Sequence, residues 1–192
     1  MRSSLLHLAA TGLAAVAGAS CRGGAADAAP PRPLSSIDST FAVGGRRIPA
    51  ASVNAYLARR LGFTSRGGEM RCAYTPLGAD GDRVFVNTLC LELVRDGDTL
   101  AAGSGRGGPV ALRVAVDGDS VRVVSHEVPA DGGGHAATIR RIFPADVADR
   151  ILAPTPAHDA AAGRLESYLR GEAALRLGLR PPDAGPHTSR TR

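Results

Sequence analysis

The chain has 192 residues and a formal net charge of +5, with 23 arginines, 18 carboxylates and no lysine or glutamine. The arginines are scattered among aspartates, tryptophan is absent and aromatic residues make up 4% of the chain, so the basic stripes and stacking platforms of a nucleic-acid binder are missing. The length holds one domain with a real core and is short for two.

In chain order, the first feature is an export signal. Arg2 gives a basic start, Leu5 to Ala19 is an almost uncharged apolar run, and Gly18, Ala19 and Ser20 lead into Cys21. The run falls short of the roughly 20 residues that span a bilayer, so residues 1–20 are expected to be a cleaved signal peptide. Two cleavage routes stand side by side. Ala15-Val16-Ala17 and Ala17-Gly18-Ala19 fit the small-x-small rule of ordinary secretory cleavage. Gly18-Ala19-Ser20-Cys21 resembles the lipobox of bacterial lipoproteins, with Gly18 where that family usually has leucine. The resemblance implies a lipid on Cys21 and a membrane-anchored protein on the periplasmic face or outer membrane. The ordinary route implies a secreted or soluble periplasmic protein. Cysteine parity favours the lipid: with Cys21 acylated, Cys72 and Cys90 remain as an even pair in an oxidising compartment.

Residues 21–37 are rich in Ala, Gly and Pro and read as a flexible tether. Phe41-Ala42-Val43, Gly44-Gly45 and Ile48 predict a short strand and turn. Ala50 to Leu61 reads as a helix with Val53, Tyr56, Leu57 and Leu61 on one stripe and Gly62 as the stop; Arg59 and Arg60 suit its C-terminal dipole.

The middle reads as an antiparallel meander. Arg71 to Leu77 and Val84 to Val94 flank the turn signal Ala79-Asp80-Gly81-Asp82, and Asp96-Gly97-Asp98 follows. Val110 to Val116 and Val121 to Val128 pair around Asp117-Gly118-Asp119. Setting Cys72 opposite Cys90 puts the midpoint of the first hairpin at Gly81, inside the independently found turn, with a bulge near Pro76. The register that closes the hairpin therefore also brings the sulfurs together. Alternation puts Phe85, Leu89, Leu91 and Leu93 on one face of their strand and Val110, Leu112, Val114 and Val116 on one face of the next. The helix bearing Tyr56 is expected to cover them. Gly103 to Gly108 reads as a linker between strands.

Pro129 to His135 is a loop. Ala136 to Phe143 and Pro144 to Leu152 read as short helices, and Pro156 to Leu177 as a last helix. Its stripe is Leu165, Tyr168, Leu169 and Leu175 or Leu177, and Gly163, Gly171 and Gly178 weaken it. Residues 180–192 read as a disordered tail.

Several of these pieces occur together elsewhere. Cys72-Ala73-Tyr74, Gly78, Val84-Phe85-Val86, Cys90-Leu91-Glu92, Gly103-Ser104-Gly105, Gly108-Pro109-Val110, Pro129-x-Asp131-Gly132 and Ile142-Phe143-Pro144 resemble a domain of bacterial exported proteins that has no assigned activity. The resemblance covers residues 69–152 and implies one exported α+β domain, without a mechanism.

Candidate chemistry is thin. His126, Glu127, Asp131 and His135 are the one cluster of metal- or proton-handling types. The two histidines are nine residues apart, which excludes the helical H-E-x-x-H zinc pattern. Adjacent strand positions also send His126 and Glu127 to opposite faces. His126, Asp131 and His135 remain the metal or hydrolase candidates beside a solvated strand end and turn. Gly132-Gly133-Gly134 lacks the Lys and Ser/Thr of a phosphate loop, and Ser104 lacks the G-x-S-x-G frame of a nucleophile elbow. His158 reads as a surface residue.

The expected fold class is α+β: the first helix packed on a four-stranded antiparallel meander within residues 38–153, then short C-terminal helices, with 154–179 as the last. The expected function is a non-catalytic binding or scaffolding role in the cell envelope, without a cofactor. Its partners would be the membrane lipid through Cys21 and an envelope protein or ligand. An inhibitor or sensor module would make contact through Gly105, Arg106, Gly107, Gly132 and Gly133. A hydrolase or metal enzyme using His126, Asp131 and His135 is the other alternative.

Overall fold

A computed structural model describes residues 41–118, 120–153, 156–179 and 181, with the backbone alone at 156–158. The signal peptide 1–20, Cys21, the tether 21–37, the side chain of His158 and nearly all of the tail 180–192 lie outside the described residues.

The described chain mixes strands and four helices around one four-stranded antiparallel sheet. A hairpin comes first, β1 (Phe41–Val43) and β2 (Arg46–Ile48), turned by Gly44 and Gly45 at φ 58° and 76°. Positive φ at both central residues is what a tight hairpin of this hand requires. Then α1 (Ala50–Arg60) buries Val53, Tyr56 and Leu57. The sheet follows in sequence order, β3 (Glu69–Asp80), β4 (Arg83–Asp96), β5 (Thr99–Asp117) and β6 (Ser120–Glu127). A 3₁₀ turn at Gly132–Gly134 leads into α2 (His135–Ile142), α3 (Ala145–Leu152) and α4 (Pro156–Arg176).

The β3–β4 hairpin has the register set by its cysteines. Cys72 faces Cys90, Tyr74 faces Thr88, Pro76 faces Val86, and the ladder shifts between Pro76 and Gly78. Gly81 sits in the turn at φ 56°. Cys72 and Cys90 form a disulfide across directly opposed positions, with Cα atoms 4.0 Å apart. So close a spacing marks a non-hydrogen-bonded pair. The backbone groups of Cys90 therefore turn to β5, and those of Cys72 turn away from β4.

Three sequence expectations are corrected. First, Gly103 to Gly108 is not a linker but the middle of β5, a single 19-residue strand. Glycine is a poor strand former in isolation, but pairing with β4 overrides propensity here, and at Gly103 and Gly105 there is no room for a side chain. A Cβ at Gly103 would lie 2.4 Å from Glu92 Oε2, and one at Gly105 would lie 2.9 Å from Leu91 Cδ2.

Second, the sheet is a middle layer covered on both faces, and the two expected core stripes belong to opposite sides. Val84, Val86, Cys90, Val110, Leu112 and Val114 share a core with α1 and the β1–β2 hairpin, through Val53, Tyr56, Leu57 and Ile48. Phe85 instead packs with Ile139, Ile142, Phe143 and Val147 of the α2–α3 region. Leu89 and Leu91 pack with Leu165 and Leu169 of α4. The helix bearing Tyr56 thus covers only the even-numbered face of β4. Val116 is 44% exposed near the end of β5.

Third, α4 runs over 21 residues as the sequence predicts, but its buried stripe is Leu165, Leu169 and Ala173. Leu175 and Leu177 are 66% and 40% exposed. Gly178 at φ 64° ends the helix, and Leu179 N–H donates back to Ala174 O, as in a glycine C-cap.

Candidate functional site

β6 pairs with β5 only from Ala111 to Asp117. Upstream of Ala111, β5 keeps β4 on one side and has no paired strand on the other among the described residues. Because Cys90 directs its backbone groups at its opposite number Arg106, alternation turns the N–H and C=O of Gly105 and Gly107 to this free edge. Both glycines are exposed. Beside the edge, where the chain leaves β6 and crosses toward α2, is a cleft of about 300 Å³. Leu61, Thr88, Arg106, Pro129, Asp131 and His135 are among its walls.

The cleft is held in shape by hydrogen bonds. Thr88 is buried, and its hydroxyl donates to Gly108 O at 3.0 Å. Ala130 N–H donates to Thr138 Oγ1 at 3.0 Å, and His135 Nδ1 lies 3.0 Å from Ala130 O. A carbonyl only accepts, so Nδ1 of His135 carries the proton. Asp131 precedes the 3₁₀ turn in an extended conformation, and Gly132 has φ 69°. Of the loop candidates, Arg106 lines the cleft, Gly105 and Gly107 form the neighbouring edge, and Gly132 and Gly133 lie exposed on the turn.

His126 is elsewhere. Its Nδ1 lies 3.0 Å from the Tyr56 hydroxyl, with the rings edge to face at 5.7 Å. Burial, with Arg60 and Arg106 nearby, pushes the imidazole below its ordinary pKa. Glu127, one residue on, points to the other face and pairs with Arg141 of α2 at 2.7 Å. Among the described residues no three His, Cys, Asp or Glu side chains cluster as a metal would require. The structure thus gives Asp131 and His135 a shared cleft and leaves His126 with Tyr56. Ser104 Oγ contacts Phe63 O and Glu92, not an imidazole.

One residue escaped the sequence reading. Glu92 has no exposed surface. It sits where the β4–β5 ladder shifts, between Leu91 and Leu93. Its carboxylate accepts the backbone N–H groups of Ser65, Arg66, Gly68 and Ser104 at 2.7–3.0 Å, and the Ser65 hydroxyl at 3.1 Å. Burial raises the pKa of such a group. The N–H groups of Ser104, Ser65, Gly68 and Arg66 together outweigh that and hold Glu92 well below the usual carboxylate range. Gly68 and Gly103 fit only because they lack side chains, since a Cβ at 68 would sit 2.6 Å from Leu93 O. The readable signal was a charged residue at an apolar position of a central strand. Glu92 organises the 62–68 loop and is sealed from a substrate.

Comparison with protein-family models, with curated proteins and with solved structures finds no match.

Proposed function

We propose that the protein is exported, anchored by a lipid on Cys21, and serves in the cell envelope as a non-catalytic binding or scaffolding module built on an α+β domain. The observation that carries this reading is the pairing of an export-type leader ending at Cys21 with the Cys72–Cys90 disulfide, a bond that persists in oxidising compartments. The side chains of the cleft add to it. The Thr88 hydroxyl that shares the cleft with Asp131 and His135 is bonded to Gly108 O, and His126 is engaged by Tyr56. The test is the intact mass of protein purified from the membrane fraction, before and after reduction. A chain that starts at Cys21, carries acyl groups and gains two hydrogens on reduction supports the reading. An unlipidated chain that retains Met1 overturns it.

The β5 edge favours an inhibitor or sensor role for the same module. Gly105 and Gly107 offer backbone donors and acceptors with no side chain to obstruct an added strand, and strand addition at such an edge is a common mode of peptide capture. Gly107→Pro deletes an edge N–H without touching the bonds to β4. A photo-crosslinker at Arg106 should trap an envelope partner, and Gly107→Pro should abolish the adduct at unchanged Tm. Undiminished crosslinking removes the edge from the reading.

A further inference from the structure

Residues 41–68 form β1, β2, α1 and the loop into β3. They contain Arg46, Arg47, Arg59, Arg60 and Arg66 and not one aspartate or glutamate. Positive charge gathers further at the C-terminal end of α1. Arg59 and Arg60 occupy its last turn. Arg106 of β5 lines the same cleft as Leu61, and Arg60 and Arg106 both act on His126. Among the described residues, the side chains of Arg59, Arg60, Arg66 and Arg106 make neither an ion pair nor a hydrogen bond. The α1 dipole places only about half a negative charge beside them.

Phe63 follows Arg59 and Arg60 in the loop after α1, and its carbonyl meets Ser104, two residues before Arg106 on β5. It is the exposed aromatic of the described chain at 55%, three residues after Arg60 and three before Arg66. Its loop is not loose. Phe63 O accepts from Ser104 Oγ, and Ser65, Arg66 and Gly68 are tied through their backbone to buried Glu92. The knot presents the ring outward when the core could have taken it.

We propose that this end of the molecule docks on the headgroup layer of an anionic phospholipid bilayer, with Phe63 set among the headgroups and Arg59, Arg60, Arg66 and Arg106 around it. Two properties select a bilayer over a soluble polyanion. The guanidinium groups answer phosphate in either case, but an exposed phenyl ring gains only where an apolar boundary lies behind the charge. The loop is also already ordered, so docking carries little conformational cost. The surface does not require a lipid on Cys21 and would act as a second attachment beside one.

The test uses full-length Cys21→Ser protein, so its outcome is independent of lipidation, which the intact mass reads separately. Sedimentation is measured with phosphatidylcholine vesicles with and without phosphatidylglycerol. Binding is expected only with the anionic lipid and should weaken as salt is raised. Arg59→Ser with Arg60→Ser should weaken it about 30-fold, at roughly fivefold per arginine. Phe63→Ser should weaken it roughly fivefold. Arg164→Ser with Arg176→Ser, on α4, should leave it unchanged. These side chains are exposed, so all variants should keep the parent Tm. No binding to anionic vesicles, equal binding to neutral ones, or equal loss from the α4 pair overturns the proposal. So does an inert Phe63→Ser, which would mark a site for soluble polyanions.

Discussion

The sheet carries a different chemistry on each face. On one side, residues 41–68 cover the disulfide face with an apolar stripe and arginines, and no carboxylate. On the other, residues 131–176 hold as many carboxylates as arginines, and those arginines are largely engaged. Arg141 reaches Glu127 at 2.7 Å, Arg150 donates to Leu77 O at 2.6 Å, and Arg170 bonds both Glu166 and Leu100 O. Charge on the α2–α4 side is spent holding helices to the sheet. On the α1 side, the side chains of Arg59, Arg60 and Arg66 make no such bond among the described residues. A net charge for the whole molecule hides this segregation.

The largest effect is expected where the α1 layer is knotted to the sheet. Glu92→Ala strands the N–H groups of Ser65, Arg66, Gly68 and Ser104, and Gly103→Val drives a side chain into the carboxylate. Either should lower Tm more than any other single change considered below. Linkage adds a pH signature. Because the folded pKa of Glu92 is depressed, its stabilisation is complete above the unfolded value of about 4.3 and is lost as pH falls through the folded value. Glu92→Gln should flatten the stability slope below about pH 4. An unchanged slope would mean that other carboxylates govern acid unfolding.

Core truncation compares the layers directly. Leu57 and Leu165 are both fully buried, one under each face. Leu57→Ala and Leu165→Ala should each cost about 2–5 kcal/mol in urea unfolding. Equal denaturation midpoints would show that the α4 layer is as integral as the α1 layer. A Leu165→Ala cost below about 1 kcal/mol would make α4 a dispensable cover. Breaking the disulfide as Cys72→Ala with Cys90→Ala should cost about 3 kcal/mol, from the 18-residue separation it closes.

The α1 face also has an alkaline limit. Tyr74 is 1% exposed and stacks on Phe41 at 5.9 Å, and burial pushes its hydroxyl up to about 12. A raised acid contributes stability that is complete below the unfolded pKa of about 10 and disappears as pH rises through the folded one. About 3 kcal/mol should be lost across that window, and Tyr74→Phe should remove the loss.

Much of this was readable in advance because it is local. The hairpin register followed from cysteine spacing and a turn signal, and the bulge followed from Pro76. The assignment of stripes to faces was not local. Alternation places Phe85 and Leu89 together, but it cannot say that α2, α3 and α4 fold back over them while α1 takes Val84 and Cys90. Gly103 to Gly108 misled for a related reason, since glycine's local preference is for a loop and only the packed side chains of Leu91 and Glu92 demand it in a strand. The site was half legible. The segments holding Arg106 and His135 were picked out as exposed glycine-rich stretches and do share a cleft. Glu92 was seen only as a letter beside Leu91. Its partners lie far along the chain at Ser65 and Ser104, and no spacing rule joins them.

The smallest expected effect tests the charge contrast most directly, because its sign differs between the layers. Arg140 and Asp149 approach to 3.3 Å with side chains 61% and 74% exposed. Arg140→Gln should cost no more than about 0.5 kcal/mol, as water and salt already screen such a pair. Arg60→Gln should cost nothing and should raise stability slightly at low ionic strength. It removes a cation that shares a pocket with Arg59 and Arg122 and has no hydrogen bond or ion pair to lose among the described residues. The same substitution reports on itself locally. Arg60 helps to depress His126, so an NMR titration of that imidazole should move upward toward its ordinary value. If Arg60→Gln destabilises the protein as Arg140→Gln does, the arginines of α1 are structural after all, and the difference between the two faces is one of composition without consequence.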